Sequence, residues 1–170
     1  SLDEPANHYL TSWKIPQNHY NRGHPVLIRN LLDMTGGLSV SGFPGYAQGQ
    51  KLPTPIQLLN GAPPANTPPV RVMYQPGSHY FYSGGAFQVV QQVVADVTKE
   101  PFTTYMNQGV LKQIGMNHSR YESPLSESLQ QHAQHDRQRR VAAILLSSWN
   151  VHHVLQYEFV DHTAPQSALS

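Results

Sequence analysis

At 170 residues the chain is long enough for one domain with a core of its own, although 14 prolines and 12 glycines announce much irregular backbone. Its formal charge is +1 with histidines neutral, and no basic run exceeds Arg137-Gln138-Arg139-Arg140, so the electrostatic case for nucleic acid as a partner falls away. The lack of cysteine excludes disulfides and cysteine-ligated metal without deciding a compartment, and no apolar run of about 18 residues predicts a helical membrane span.

In chain order, positions 28 to 34 read as a short helix with Leu31 and Leu32 inward, stopped by Gly36-Gly37, where a left-handed residue is easily accommodated. Thr35-Gly36-Gly37 is therefore expected to be architectural. Between Phe43 and Pro76 eight prolines recur, which permits at most one short helix, near Ile56 to Asn60, inside an otherwise extended connection of the kind that often forms a binding wall. His79-Tyr80-Phe81-Tyr82 is aromatic and suits a short extended run. The pair Gly84-Gly85 then lets the backbone pass close to another group before a helix begins. Phe87, Val90, Val94 and Val97 recur at helical spacing and predict the inward stripe of that helix, widened by Val89 and Val93. Pro101 suits the first turn of a following helix, with Phe102, Tyr105, Met106 and Val110 as its apolar positions.

Several of these segments carry a joint signature. Leu31-Leu32-Asp33-Met34-Thr35-Gly36-Gly37-Leu38, Pro76-Gly77, Tyr82-Ser83-Gly84, Asp96-Val97-Thr98, Pro101-Phe102 and Ile114-Gly115-Met116 stand in one order and at consistent distances. This set resembles the class C β-lactamase-related serine hydrolases, a group that includes penicillin-binding-protein-like peptidases and family VIII esterases. The resemblance covers residues 2 to about 130. It implies a mainly α chain with long irregular loops: part of the helical region of the serine β-lactamase and penicillin-binding-protein-like α/β fold, with the central sheet largely missing. It also implies that Tyr82 holds the position of the catalytic general acid/base, with Ser83 and Gly84 at the substrate edge. Gly84 stands where many relatives have asparagine, which tilts the reading away from a typical β-lactamase. Lys99 stands where the family usually has glycine, so a left-handed helix end there is expected to be strained by roughly 1 kcal/mol.

Such an enzyme needs a Ser-x-x-Lys nucleophile motif and a later Lys-Thr-Gly or His-x-Gly strand. The four lysines, at positions 14, 51, 99 and 112, are preceded three residues earlier by Thr11, Gln48, Asp96 and Gly109, and neither strand motif follows Tyr82. In the family the nucleophile helix lies just upstream of a segment like Leu2 to Leu10. The chain is thus expected to correspond to a piece of a serine hydrolase acting on an ester, a β-lactam or a D-amino-acid peptide in the intact parent, inactive by itself. The other class open to it is a non-catalytic binding module on the same scaffold. No cofactor or membrane span is expected. The resemblance allows a periplasmic or secreted location and leaves a cytoplasmic one open.

Resemblance ends near Gln131, where composition also changes: no glycine follows Gly115, and half of the chain's ten histidines lie at positions 132, 135, 152, 153 and 162. Residues 131–170 are therefore expected to form an unrelated or out-of-frame-like tail that packs poorly, beside a partial hydrolase domain at 1–130. A metal site drawn through His132, His135, His152 and His153 has no carboxylate or cysteine pattern to fix it and is set aside. Asn117-His118-Ser119 matches a glycosylation sequon of the kind frequent by chance.

Overall fold

A computed structural model describes residues 1–47, 50–117, 119–122 and the backbone of the strand Glu158–Phe159. The inferred tail boundary and the five tail histidines lie outside the described residues. The chain divides into two units after Lys99.

Among the described residues the first unit holds four helices, α1 (Ala6–Tyr9), α2 (Ile28–Leu32), α3 (Pro55–Asn60) and α4 (Gly84–Thr98), joined by long loops. Its core is built from Ala6, Leu10, Trp13, Ile15, Val26, Leu31, Leu38, Leu59, Val70, Val72, Ala86 and Val89. Short backbone pairings draw distant segments together: Ala6 N–H donates to the Val26 carbonyl at 2.8 Å, and Val70 N–H to that of Leu59 at 2.9 Å. Helix α3 starts on Thr54, whose side chain accepts from the Gln57 N–H while the Gln57 side chain returns to the Thr54 N–H, a reciprocal cap. It ends at Gly61, where φ is +61° and an added Cβ would sit 2.5 Å from the Pro69 nitrogen, so glycine is required there. This is the one short helix the proline pattern allowed.

Two sequence expectations need correction. Helix α2 ends at Leu32, and the first left-handed residue after it is Met34, φ +62°, ahead of Gly37 at φ +64°. Leu31 is fully buried but Leu32 is 45% exposed, because consecutive helical side chains diverge by about 100° and only one of the two can face the core. In α4 the valine stripe is displaced: Val97 is 54% exposed, while Ala86, Val89, Gln92 and Asp96 are buried. The helix turns this face inward because Gln92 and Asp96 hold the backbone that follows α1. The Thr11 N–H reaches Asp96 Oδ2 at 2.6 Å and the Ser12 N–H at 2.9 Å, the Ser12 hydroxyl donates to Oδ1 at 2.7 Å, and Gln92 Nε2 donates to Oδ1 at 3.0 Å. At the far end Lys99 takes the left-handed cap at φ +61°, as its place in the motif order implied.

The second unit comprises the described residues from Glu100 onward. Pro101 precedes a single turn of helix, α5 (Phe102–Thr104), and is its N-cap rather than its first turn. The chain then widens into a π-helix at Tyr105–Leu111 in place of the regular α-helix expected, with the Lys112 N–H donating to the Asn107 carbonyl at 3.2 Å. Beyond it β1 (Tyr121–Glu122) pairs antiparallel with β2 (Glu158–Phe159), Tyr121 opposite Phe159. Among the described residues this two-stranded pairing is the only sheet, so helices and loops dominate, in keeping with the sequence reading.

Candidate functional site

The motif segments converge in the first unit because a strap at 34–43 lies between the loop 69–77 and the start of α4. On one side Ser39 N–H donates to the Arg71 carbonyl at 2.8 Å, Met73 N–H to the Gly37 carbonyl at 2.7 Å and Gly77 N–H to the Thr35 carbonyl at 2.8 Å. On the other, Phe81 N–H donates to the Met34 carbonyl at 2.8 Å and Gly85 N–H to that of Val40 at 2.9 Å. The two glycine motifs thus form one hydrogen-bonded unit. Glycine is demanded where these strands touch. A Cβ on Gly37, where φ is +64°, would lie 2.4 Å from the Tyr74 carbonyl oxygen, and one on Gly85 would lie 2.5 Å from that of Ser39. Val40, β-branched yet at φ +65°, stands between these contacts and marks local backbone strain.

Asn30 organises the strap from below, and pattern reading had no signal for it. Its Oδ1 accepts the Leu27 N–H at 3.0 Å, its Nδ2 donates to the Thr35 hydroxyl at 2.9 Å, and that hydroxyl donates to Asp33 Oδ1 at 2.6 Å. Thr35 is thereby held in an architectural role, as expected.

Tyr82 is the last residue but one before α4 and is half-buried at the edge of this assembly. Burial, and secondarily the neighbouring Tyr80, push its hydroxyl above the ordinary tyrosine value, so it is a protonated phenol at neutral pH. Among the described residues no group hydrogen bonds that hydroxyl, and no lysine or arginine there lowers its titration. Ser83 is only 1% exposed; its hydroxyl donates to the Ser39 carbonyl at 2.9 Å and accepts the Ala86 N–H at 3.0 Å, which makes it the N-cap of α4. Gly84 opens the helix with its N–H on the Ser41 carbonyl at 3.3 Å, and a Cβ there would stand 3.2 Å from that same oxygen. The first N–H groups of α4 are therefore all occupied by protein acceptors. Tyr74, His79 and Phe81 add an aromatic cluster on the same loop, with ring centroids 4.9 Å apart from Tyr74 to each of the other two. Chemically the edge can give a proton through Tyr82; its nearest hydroxyl, that of Ser83, is engaged in structure.

Among the described residues no group of histidines and carboxylates is placed to hold a metal ion, and no helix is long and apolar enough to cross a membrane.

The chain is 25% identical over 116 residues to a Bacillus subtilis (strain 168) protein described as penicillin-binding protein PbpX, a match covering 68% of this chain and 25% of that one. Its fold is similar to a Yersinia pestis beta-lactamase/D-alanine carboxypeptidase, with a TM-score of 0.55 and 20% identity over 76% of this chain and 35% of the other. It is likewise similar to a D-stereospecific amidohydrolase from Streptomyces sp., with a TM-score of 0.55 and 21% identity over 74% and 40% of the two chains. The chain thus spans about a quarter to two-fifths of the length of these proteins. The beta-lactamase family model matches residues 1–151, a span that includes every motif of the site and continues past Gln131. With the motifs joined in space as well as in order, the chain belongs to the beta-lactamase family.

Proposed function

We propose that this chain carries the tyrosine-motif part of a serine hydrolase that works through an acyl-enzyme on an ester, a β-lactam or a D-amino-acid peptide. In this reading Tyr82 is the general acid/base, and Ser83 and Gly84 form the edge against which substrate lies, Ser83 by fixing the start of α4 and Gly84 by leaving that edge free of a side chain. The observation that carries the reading is the placement of Tyr82: two close backbone approaches, at Gly37 and Gly85, hold its loop, and among the described residues its hydroxyl has no hydrogen-bond partner. Residues 1–170 contain no Ser-x-x-Lys; in this reading the intact hydrolase draws its nucleophile and lysine from elsewhere, and the present residues are expected to turn over no substrate.

A fluorescent penicillin and an activated phosphonate test this directly. The expected result is no acyl- or phosphonyl-protein by mass spectrometry, since loss of the nucleophile costs a serine enzyme many orders of magnitude. Stoichiometric labelling of any one serine would overturn it. The second reading is a binding module without chemistry, and the feature that favours it is that residues 1–170 contain no Ser-x-x-Lys. It predicts that a D-alanyl-D-alanine peptide shifts the Tyr82 resonances and that Y82F still binds it with unchanged affinity.

A further inference from the structure

The second unit contains an open groove of about 550 Å³ whose walls include Thr104, Gln108, Lys112, Asn117, Arg120 and Glu122. None of these belongs to the hydrolase signature described above. We propose that this groove binds a small polyhydroxylated anion, a sugar-sized molecule carrying a phosphate or carboxylate group.

Charge is the first support. Lys112 and Arg120 line the same groove, and among the described residues the ion pairs are His8 with Glu4 and Arg29 with Asp3, neither of which involves these two cations. Against them stands one carboxylate in the wall, Glu122, which leaves a cationic balance. Two donors of this kind suit an oxyanion, with arginine able to meet it through two parallel N–H groups.

Pre-organisation is the second. Asn107 clamps the backbone of Tyr121 at two points, its Nδ2 donating to the Tyr121 carbonyl at 2.9 Å and its Oδ1 accepting the Tyr121 N–H at 2.7 Å. The residues on either side of Tyr121, namely Arg120 and Glu122, are thereby tied to the π-helix that carries Gln108 and leads into Lys112. Arg120, Tyr121 and Glu122 all line the groove, so the clamp on Tyr121 fixes the stretch of wall that carries both charges. A π-helix is an uncommon element that recurs at functional sites.

The neutral wall is the third. Thr104, Gln108 and Asn117 offer hydroxyl and amide groups that can both donate and accept, which matches hydroxyls on a ligand better than an apolar body. The volume falls within the range usual for small-molecule sites, about 300–1,000 Å³.

The test is titration of the full chain, followed by NMR chemical shifts, with glucose 6-phosphate, glucuronate, inorganic phosphate and glucose at matched ionic strength. The expected result is saturable shifts in residues 103–122 with glucose 6-phosphate or glucuronate, the two arms separating a phosphate from a carboxylate source, and none with glucose. K112Q and R120Q should each weaken binding about tenfold, equivalent to about 1.4 kcal/mol, K112R should retain it, and E122Q should strengthen it. Any variant that loses its folded spectrum is replaced by raising the salt concentration on the unaltered chain, which should weaken binding if charge drives it. Equal shifts with glucose, no saturation with either anion, or E122Q weakening the interaction would overturn the proposal, and binding of inorganic phosphate alone, insensitive to K112Q and R120Q, would do the same.

Discussion

Replacing Asp96 should be among the most damaging single changes in the first unit, although it lies near the end of α4 remote from Tyr82. Its side chain is 7% exposed and accepts four hydrogen bonds, from two backbone N–H groups, one hydroxyl and one amide. Burial alone would raise its titration, but the bonds from Ser12, Thr11 and Gln92 outweigh it and hold the carboxyl below the ordinary value. Hydrogen bonds to a charged acceptor are worth roughly 1.5–3 kcal/mol each. Thr11 and Ser12 lie near solvent, however, so water recovers part of what is lost, and D96A should cost about 3 kcal/mol rather than the sum of four bonds. For a chain of this size that lowers the melting temperature by roughly 6–12 °C at pH 7. D96N keeps the shape and loses the charge, so about half the effect is expected. The pH dependence follows from the direction of the shift. A carboxyl with a depressed folded value contributes stability that is fully present above the unfolded pKa, about 3.9, and is lost as pH falls through the folded value. The gap between wild type and D96N, measured by thermal melts followed by circular dichroism, should therefore close in acid. Melting of D96A within 1 °C of wild type at pH 7, or a D96N gap that stays constant into strong acid, would refute the reasoning.

The glycine contacts give a graded pair: G85A, whose Cβ meets the Ser39 carbonyl oxygen at 2.5 Å, should lose about 2 kcal/mol in urea unfolding, and G84A, at 3.2 Å from the Ser41 oxygen, clearly less. Removing the α4 cap with S83A should cost about 1 kcal/mol by the same assay, with no change in reactivity toward a phosphonate. L31A should lose about 2–5 kcal/mol while L32A stays within about 0.5 kcal/mol, a contrast that equilibrium unfolding of the two variants resolves. K99G should stabilise by about 1 kcal/mol, because glycine enters the left-handed cap without the cost borne by lysine; a destabilisation would show that the Lys99 contact to the Thr11 hydroxyl, at 3.4 Å, outweighs the backbone term.

What the sequence made legible was punctuation and order. The short helix inside the proline-rich loop and the passage from Tyr82 into α4 follow from local chemistry, because each depends on residues within a turn of one another, while the left-handed cap at Lys99 was legible only through the family resemblance. Facing was less legible. The valines of α4 define an apolar stripe on paper, yet the helix rotates to bring Gln92 and Asp96 inward, and the cause lies at Thr11 and Ser12, about 85 positions away. Asn30 escaped notice for the same reason: an asparagine becomes an organiser only once Leu27 and Thr35 stand on either side of it. The widening of the chain into a π-helix at Tyr105 leaves no mark in apolar spacing, since one extra residue per turn merely shifts the register of the stripe. The sequence marks Gly84-Gly85 as a close approach and Gly36-Gly37 as a helix stop, but which glycine tolerates a side chain is decided by partners elsewhere in the fold: the Tyr74 carbonyl for Gly37, that of Ser39 for Gly85.

The titration of Tyr82 links the geometry to the proposed chemistry. A phenol pushed upward by burial and by Tyr80 holds its proton at neutral pH and is suited to give one, whereas accepting a proton from a serine requires the phenolate. A nearby cation is the physical means of reversing that shift, since an opposite charge within about 4–6 Å favours the ionised form. Under the proposed reading the cation is the lysine of the Ser-x-x-Lys helix, so the nucleophile and its activator arrive on the same element, and Tyr82 becomes competent as a base only when that element is in place. Ultraviolet difference titration compares the chain with its Y82F variant to isolate this group. In residues 1–170 alone the Tyr82 contribution should appear above the ordinary tyrosine value of about 10. In a longer chain that includes a Ser-x-x-Lys helix it should move down. If Tyr82 titrates below the ordinary value in the present chain, a cation already faces it, and the protonated-phenol description of the site fails.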